Sequence, residues 1–164
     1  MVGIGENHTG LGLFTLHEIP RNTFICSYAP TATLRTTTQY GDYAMQLSIG
    51  GEKISINGQE NDYEIGLGIY ANDGTFPFIL AGEKFSRFVA RKVNCEFSKR
   101  NNEVWLKPTR TIHANEEILV SYTPDGSYWS SIFTQDQLQT IREALLRCGS
   151  TIKDAEDCLF YVDI

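Results

Sequence analysis

Residues 116 to 129, EEILVSYTPDGSYW, end an apolar run on a serine and a tyrosine, turn at Thr-Pro-Asp-Gly, and add a Tyr-Trp pair. A phenol held at the end of a strand among other aromatic rings could orient an amine by hydrogen bonding and stabilise the charge that shifts in a transfer reaction. Tyr122 reads equally well as a core residue with its hydroxyl satisfied, the usual fate of such a tyrosine. Near the other end, GIGENHTGLGLF carries Gly3, Gly5, Gly10 and Gly12. Their spacing matches neither G-x-G-x-x-G nor G-x-x-x-x-G-K-[ST], and no βαβ unit follows, so a phosphate loop is a poor reading. A Gly-x-Gly immediately before a strand still lets a ligand lie against bare backbone, although Gly10 and Gly12 serve a turn just as readily. In GIYANDGTF, Asn72-Asp73-Gly74 is by itself an ordinary tight turn, and in VNCEF, Asn94 and Cys95 read as a partly buried polar group and a small core residue.

Other chemistries are disfavoured. Cys26, Cys95, Cys148 and Cys158 are far apart with no C-x-x-C, and His8, His17 and His113 are equally scattered. Neither a zinc site nor a disulfide framework is expected, and free thiols in a reducing, intracellular compartment follow. The sequon Asn7-His8-Thr9 is taken as unused. The net charge of −6, from 14 basic and 20 acidic residues, gives no basic stripe for nucleic acid but suits a Lys-rich partner. Mild acidity serves solubility equally well. No apolar run approaches the roughly 20 residues of a membrane span, and the N-terminus lacks the order of a signal peptide.

The elements that must position these residues are mostly short strands. At 164 residues the chain has the size of one domain. GLGLF (10 to 14) and TFICSY (23 to 28) are the first candidates, with HEIPRN as the turn between them. YAMQLSI (43 to 49) and EKISIN (52 to 57) flank Gly50-Gly51 as a hairpin. VNCEFS (93 to 98) and EVWLK (103 to 107) form a second hairpin around Lys99-Arg100-Asn101-Asn102, and EEILVSY (116 to 122) is the last strand. The Gly- and Asn-rich stretch from Asn57 to Arg87 reads as irregular, with at most a helical turn. A single amphipathic helix is expected over 134 to 148: Thr134 and Gln137 make a capping box, Leu138, Ile141, Leu145 and Cys148 share a face, and Gly149 supplies the stop. The division is therefore a domain over 1–132 with a helical extension, 133–164, packed on it.

Taken in order, these fragments resemble the SET-domain protein methyltransferases over about residues 3 to 129. TGLGLFTLHEIPRNTFICSY and ANEEILVSY carry the resemblance most specifically, with IYAND and VNCEF in the middle. The resemblance implies a mainly β, β-clip-like SET fold: several small curved sheets with a pseudoknot-like crossing that brings the Asn72 segment beside the final strand, plus the C-terminal α-helix. It also implies transfer of a methyl group from S-adenosyl-L-methionine to a lysine side chain of a protein.

Carried over by position, Tyr122 is the catalytic tyrosine. Gly10, Leu11 and Gly12 meet the cofactor with backbone, Asn72 and Asp73 hold it, Asp73 standing where the family commonly has His, and Trp129 stacks on its adenine. Tyr28, Tyr70, Val120 and Tyr128 line the lysine channel, and no metal is required. The implied partner is a basic, lysine-containing peptide or protein, a histone tail being the family's commonest target; a histone substrate would place the chain in the nucleus and any other in the cytoplasm. No nucleic-acid or membrane binding is expected, and oligomeric state is left open.

The sequence also departs from the family pattern. Asn72-Asp73 and Asn94-Cys95 are separated by a long insertion, Ala29-Pro30 stands where a Gly is usual, Thr123 stands where a Gly often follows the tyrosine, and the zinc-binding C-terminal cysteines are absent. Asp73, Pro30 and Thr123 favour the alternative, a catalytically silent SET-like module that binds a basic peptide or a partner protein. The first motif begins almost at Met1, which suggests a piece trimmed from a longer protein.

Overall fold

The computed structural model describes residues 2–7, 10–28, 44–49, 52–57, 66–101, 103–122, 128–149, 151, 153 and 155. Eight strands and three α-helices occur among them. The strands are β1 (Val2–Asn7), β2 (Gly10–Thr15), β3 (Ala44–Ile49), β4 (Glu52–Asn57), β5 (Asn72–Asp73), β6 (Cys95–Arg100), β7 (Glu103–Pro108) and β8 (Leu119–Val120). The helices are α1 (Ser86–Lys92), α2 (Trp129–Ile132) and α3 (Gln135–Arg147), with 3-10 segments at Leu67–Tyr70 and Phe78–Phe85. The chain is mainly β, in small sheets, with a C-terminal helix. It forms two compact units, one from residues 1–72 and 94–120, the other from 73–93 and 121–164.

The first unit holds three antiparallel hairpins, β1–β2, β3–β4 and β6–β7. The pairing Ile49↔Glu52 agrees with the hairpin read from the sequence, whose Gly50-Gly51 connection lies outside the described residues. In the last hairpin β6 runs on to Arg100, so the turn is shorter than expected, and Asn101 takes the positive φ of 50° that a tight connection demands. β7 alternates: Val104, Leu106 and Pro108 are buried while Glu103, Trp105 and Lys107 are partly exposed. With Leu13, Ile112, Ile118 and Val120, all fully buried, they form the core of this unit. Each large aliphatic side chain so buried contributes roughly 1.5–3 kcal/mol.

Two expected strands are corrected. TFICSY is not a regular strand. Ile25 N donates to Leu106 O and Leu106 N donates to Cys26 O, both at 3.0 Å, so two residues oppose one and the ladder is bulged; only Ser27↔Trp105 remains as a bridge. EEILVSY is regular only over Leu119–Val120, because the run changes partners. Thr15 N donates to Glu116 O (3.0 Å) and Ile118 N to Leu13 O (2.7 Å), after which Leu119 O accepts from Asn94 N (3.0 Å). Gly10 and Gly12 lie inside β2 rather than before a strand.

Gly66 and Gly68 explain how the 3-10 segment reaches the bulged strand. A Cβ on Gly66 would lie 2.4 Å from Tyr28 O, and one on Gly68 2.7 Å from Tyr28 Cα, so only glycine admits this backbone-on-backbone approach. Gly68 N donates to Ser27 O at 3.1 Å within it.

The second unit is more helical than the sequence suggested, since Phe78–Phe85 and Ser86–Lys92 occupy the stretch read as irregular. Helix α3 fits its expected bounds, with the capping box formed by Thr134 and Gln137. Leu138, Ile141, Leu145 and Cys148 are all buried. Ile141, Leu145 and Cys148 pack with Phe78, Ala81, Phe85 and Ala155, so the helix expected as an extension shares its core with residues that precede it by some sixty positions. Its C-terminal carbonyls are capped by Lys84, whose Nζ donates to the oxygens of Leu145 (2.8 Å), Leu146 (3.1 Å) and Cys148 (2.7 Å).

Candidate active site

In the first unit, the glycine motif, the IYAND segment and the EEI run converge on two asparagines. Asn72 donates from Nδ2 to Leu11 O (3.1 Å) and to Glu117 Oε1 (3.0 Å), tying three sequence motifs at one side chain. Asn94 is fully buried: Nδ2 donates to Glu117 O (2.7 Å) and Glu116 Oε1 (3.3 Å), while Oδ1 accepts from Leu119 N (2.9 Å). The chain segment entering β6 is thereby locked to the one entering β8. Gly10 has φ 116° with open space where a Cβ would stand, and Leu11 is 52% exposed, so the start of β2 lies at the surface.

Glu116 was not anticipated. Its carboxylate accepts from both terminal nitrogens of Arg110, from His113 N at 2.9 Å and from Asn94. The Arg110 guanidinium, followed by these other donors, pulls its pKa down to about 2 despite partial burial. The doubled acid before the apolar run was the available signal; its partner Arg110, six residues upstream, was not distinguishable from a surface arginine.

Of the expected channel residues in this unit, Tyr28 is buried, edge-on to Phe97 at 5.6 Å, Val120 is fully buried and Tyr70 is half-buried. Cys26 and Cys95 are free thiols pushed up to about 12 by burial, which removes them as nucleophiles at neutral pH.

In the second unit, five rings gather. Tyr128 meets Tyr122 and Trp129 edge-on, each at 5.0 Å, and the Tyr122 and Trp129 rings lie nearly parallel at 6.2 Å. Phe76 stacks on Trp129 at 4.2 Å, and Phe133 stacks on Phe76 at 5.3 Å. These spacings suit aromatic pairing. Tyr122, Tyr128 and Trp129 are half-buried. Asp73 joins the group, accepting from Trp129 Nε1 on Oδ2 (2.5 Å) and from Thr75 N (2.8 Å) and Oγ1 (2.7 Å) on Oδ1. The Ser121 hydroxyl beside Tyr122 is buried without a hydrogen-bond partner, an open capacity that a polar ligand group could fill. The Thr-Pro-Asp-Gly turn that follows lies outside the described residues. Among the described residues no group of His, Cys, Asp and Glu could hold a metal ion.

Each unit thus holds a group of candidate residues. The first combines glycine backbone, Asn72 and a carboxylate–arginine pair; the second is a ring cluster that includes Tyr122, anchored by the Asp73 carboxylate. Neither contains an activated nucleophile, whereas a half-buried ring wall can exclude water and attract a cation.

A family model described as the SET domain matches residues 10–123. Among solved structures, the chain is similar to the methyltransferase domain of human PR domain-containing protein 2, at 14% identity over 74% of this chain and 76% of that one, with a TM-score of 0.47. It is also similar to a Plasmodium falciparum protein described as a histone methyltransferase, at 23% identity over 74% of this chain and 96% of that one, with a TM-score of 0.43. No curated protein matches.

Proposed function

The chain belongs to the SET-domain family, and from that premise we propose that it transfers a methyl group from S-adenosyl-L-methionine to the side-chain amine of a lysine in a basic peptide or protein. The observation that carries the reading is the grouping of Tyr128 and Trp129 with Tyr122, the residue that the family pattern assigns to catalysis, at ring separations of 5.0–6.2 Å. When bound, S-adenosyl-L-methionine supplies an electrophilic methyl carbon on a cationic sulfur. The residues of the second unit suit such a group, with aromatic faces for the positive charge and the unpartnered Ser121 hydroxyl.

The work of the chain is positional. The Tyr122 hydroxyl orients a neutral amine, the Tyr128 edge and Trp129 face restrict its approach, and the rings keep out water that would reprotonate it. An acidic chain, at −6, favours encounter with a lysine-rich segment. A histone tail meets that description, and methylation of one would occur in the nucleus.

The test is titration calorimetry with S-adenosyl-L-methionine, followed by transfer of labelled methyl to a lysine-peptide array. Binding and transfer are expected from the native chain; Tyr122→Phe keeps the binding and loses at least tenfold in kcat, a typical share for a positioned hydroxyl. Absence of binding by folded protein would overturn the reading in favour of a silent module that holds a basic peptide.

A further inference from the structure

Asp73 occupies the position at which the family resemblance supplies a histidine for the cofactor, yet the acceptor geometry of its carboxylate is turned inward. Oδ1 takes the amide and hydroxyl of Thr75, two residues on, and is held in a closed local turn. Oδ2 takes the indole N–H of Trp129 across 56 residues of sequence. Thr75 is 3% exposed, so the turn that aims the carboxylate is itself buried. The indole so fixed stacks on Phe76 at 4.2 Å, while its ring lies nearly parallel to Tyr122 and perpendicular to Tyr128. An indole has a single donor, and a carboxylate acceptor makes the stronger, charge-assisted bond that fixes its rotation as well as its position.

We propose that Asp73 is a positioning residue that acts through Trp129 on Tyr122. The Thr75–Asp73–Trp129 chain sets the indole, and the indole and Tyr128 together set the plane and reach of the Tyr122 ring. The kinetic consequence rests on the methyltransferase reading; the placement of the two rings does not. The proposal gives Trp129 a positioning role whether or not it also stacks on adenine, for which the Phe76-covered face is not open.

The experiment uses the full chain labelled with ¹⁵N-tryptophan and fluorotyrosine. The chain has 2 tryptophans and 8 tyrosines, and Trp129→Phe and Tyr122→Phe identify the two signals of interest. In Asp73→Ala, the Trp129 indole resonance should move and its proton should exchange at least about tenfold faster, the Tyr122 fluorine signal should shift, and the Trp105 indole should stay in place. Asp73→Asn, whose amide leaves one acceptor oxygen, should give a partial effect.

In methyl transfer, Asp73→Ala should lower kcat on the order of 10-fold and leave KM for the methyl donor within about threefold, as expected for lost positioning. The double variant Asp73→Ala/Trp129→Phe should be no worse than the poorer single variant, since the two act as one unit. An unmoved Tyr122 signal, additive kinetic losses, or a loss confined to KM would each overturn the proposal, the last by making Asp73 a direct cofactor contact. Shifted signals in a chain whose native form transfers no methyl would keep the anchor and sink the methyltransferase reading instead.

Discussion

Asn94→Ala should destabilise the first unit at a cost that the structure allows one to work out. The side chain is fully buried and makes three hydrogen bonds, two of them to main-chain groups, Leu119 N and Glu117 O. Truncation leaves both groups buried and unpaired at about 1–3 kcal/mol each, and the space left by the amide adds about 1 kcal/mol. A loss of about 3–7 kcal/mol follows, which at about 2–4 °C per kcal/mol for a chain of this length lowers Tm by at least about 6 °C. Urea melts of native and variant protein measure it, and an unchanged m-value would show that the denatured state is not the cause. Asn94→Asp separates the contributions. Its oxygen still accepts from Leu119 N, but at neutral pH the new carboxylate faces Glu117 O and the Glu116 carboxylate, so the variant should regain stability as pH falls and the new carboxyl protonates. A loss under about 1 kcal/mol in Asn94→Ala would refute the reasoning, because it would mean that water or relaxation satisfies both main-chain groups.

Four further outcomes are expected. Glu116, held at about 2 by Arg110, stabilises the fold above its ordinary pKa of 4.5, and that contribution is lost as pH falls toward 2; Glu116→Gln should flatten the acid limb of stability against pH by about 1 kcal/mol, the partly exposed pair being screened. Gly68→Ala should cost about 3 kcal/mol or more by thermal melt, since its Cβ would meet the Tyr28 backbone at 2.7 Å and the chain must part to admit it. Lys84→Met keeps the stem but removes the cap on three carbonyls of α3, and about 1 kcal/mol should disappear from a chemical melt. Cys26 and Cys95 should resist alkylation at pH 8 in the native protein and react on unfolding, as mass spectrometry would read.

Periodic and turn-bound elements were the legible ones. Helix α3 announced itself through a capping box and a four-residue apolar stripe, and two hairpins through alternation around Gly50-Gly51 and Lys99-Arg100-Asn101-Asn102, the second turn proving shorter. Elements whose form depends on a distant partner were not. EEILVSY reads as one strand, but its carbonyl and amide groups serve Leu13, Thr15 and Asn94 in turn, and a local pattern contains no record of a change of partner. TFICSY fails as a strand through a bulge set by Leu106. Among the glycines, attention fell on Gly10 and Gly12, whereas the closest approaches are at Gly66 and Gly68. Spacing cannot distinguish a glycine kept for its φ from one kept for what passes beside it. Asn72 and Tyr122 were singled out through family order, and Arg110, Glu116 and Lys84 were passed over because each acquires its partners only through long-range geometry.

The second unit has a history as well as a structure. Phe78 and Phe85 leave the ribosome well before Ile141 and Leu145, the residues that complete their core, and the intervening stretch 94–120 belongs to the other unit. A nascent chain that has reached β8 therefore exposes an apolar surface with no partner yet synthesised, and it is at that stage that chaperones would find it. For the same reason, a stop codon within α3 would act less as a trim than as the removal of half a core. Degradation of the truncated product in cells, with loss of the Tyr122 ring cluster that shares its unit, would be its signature.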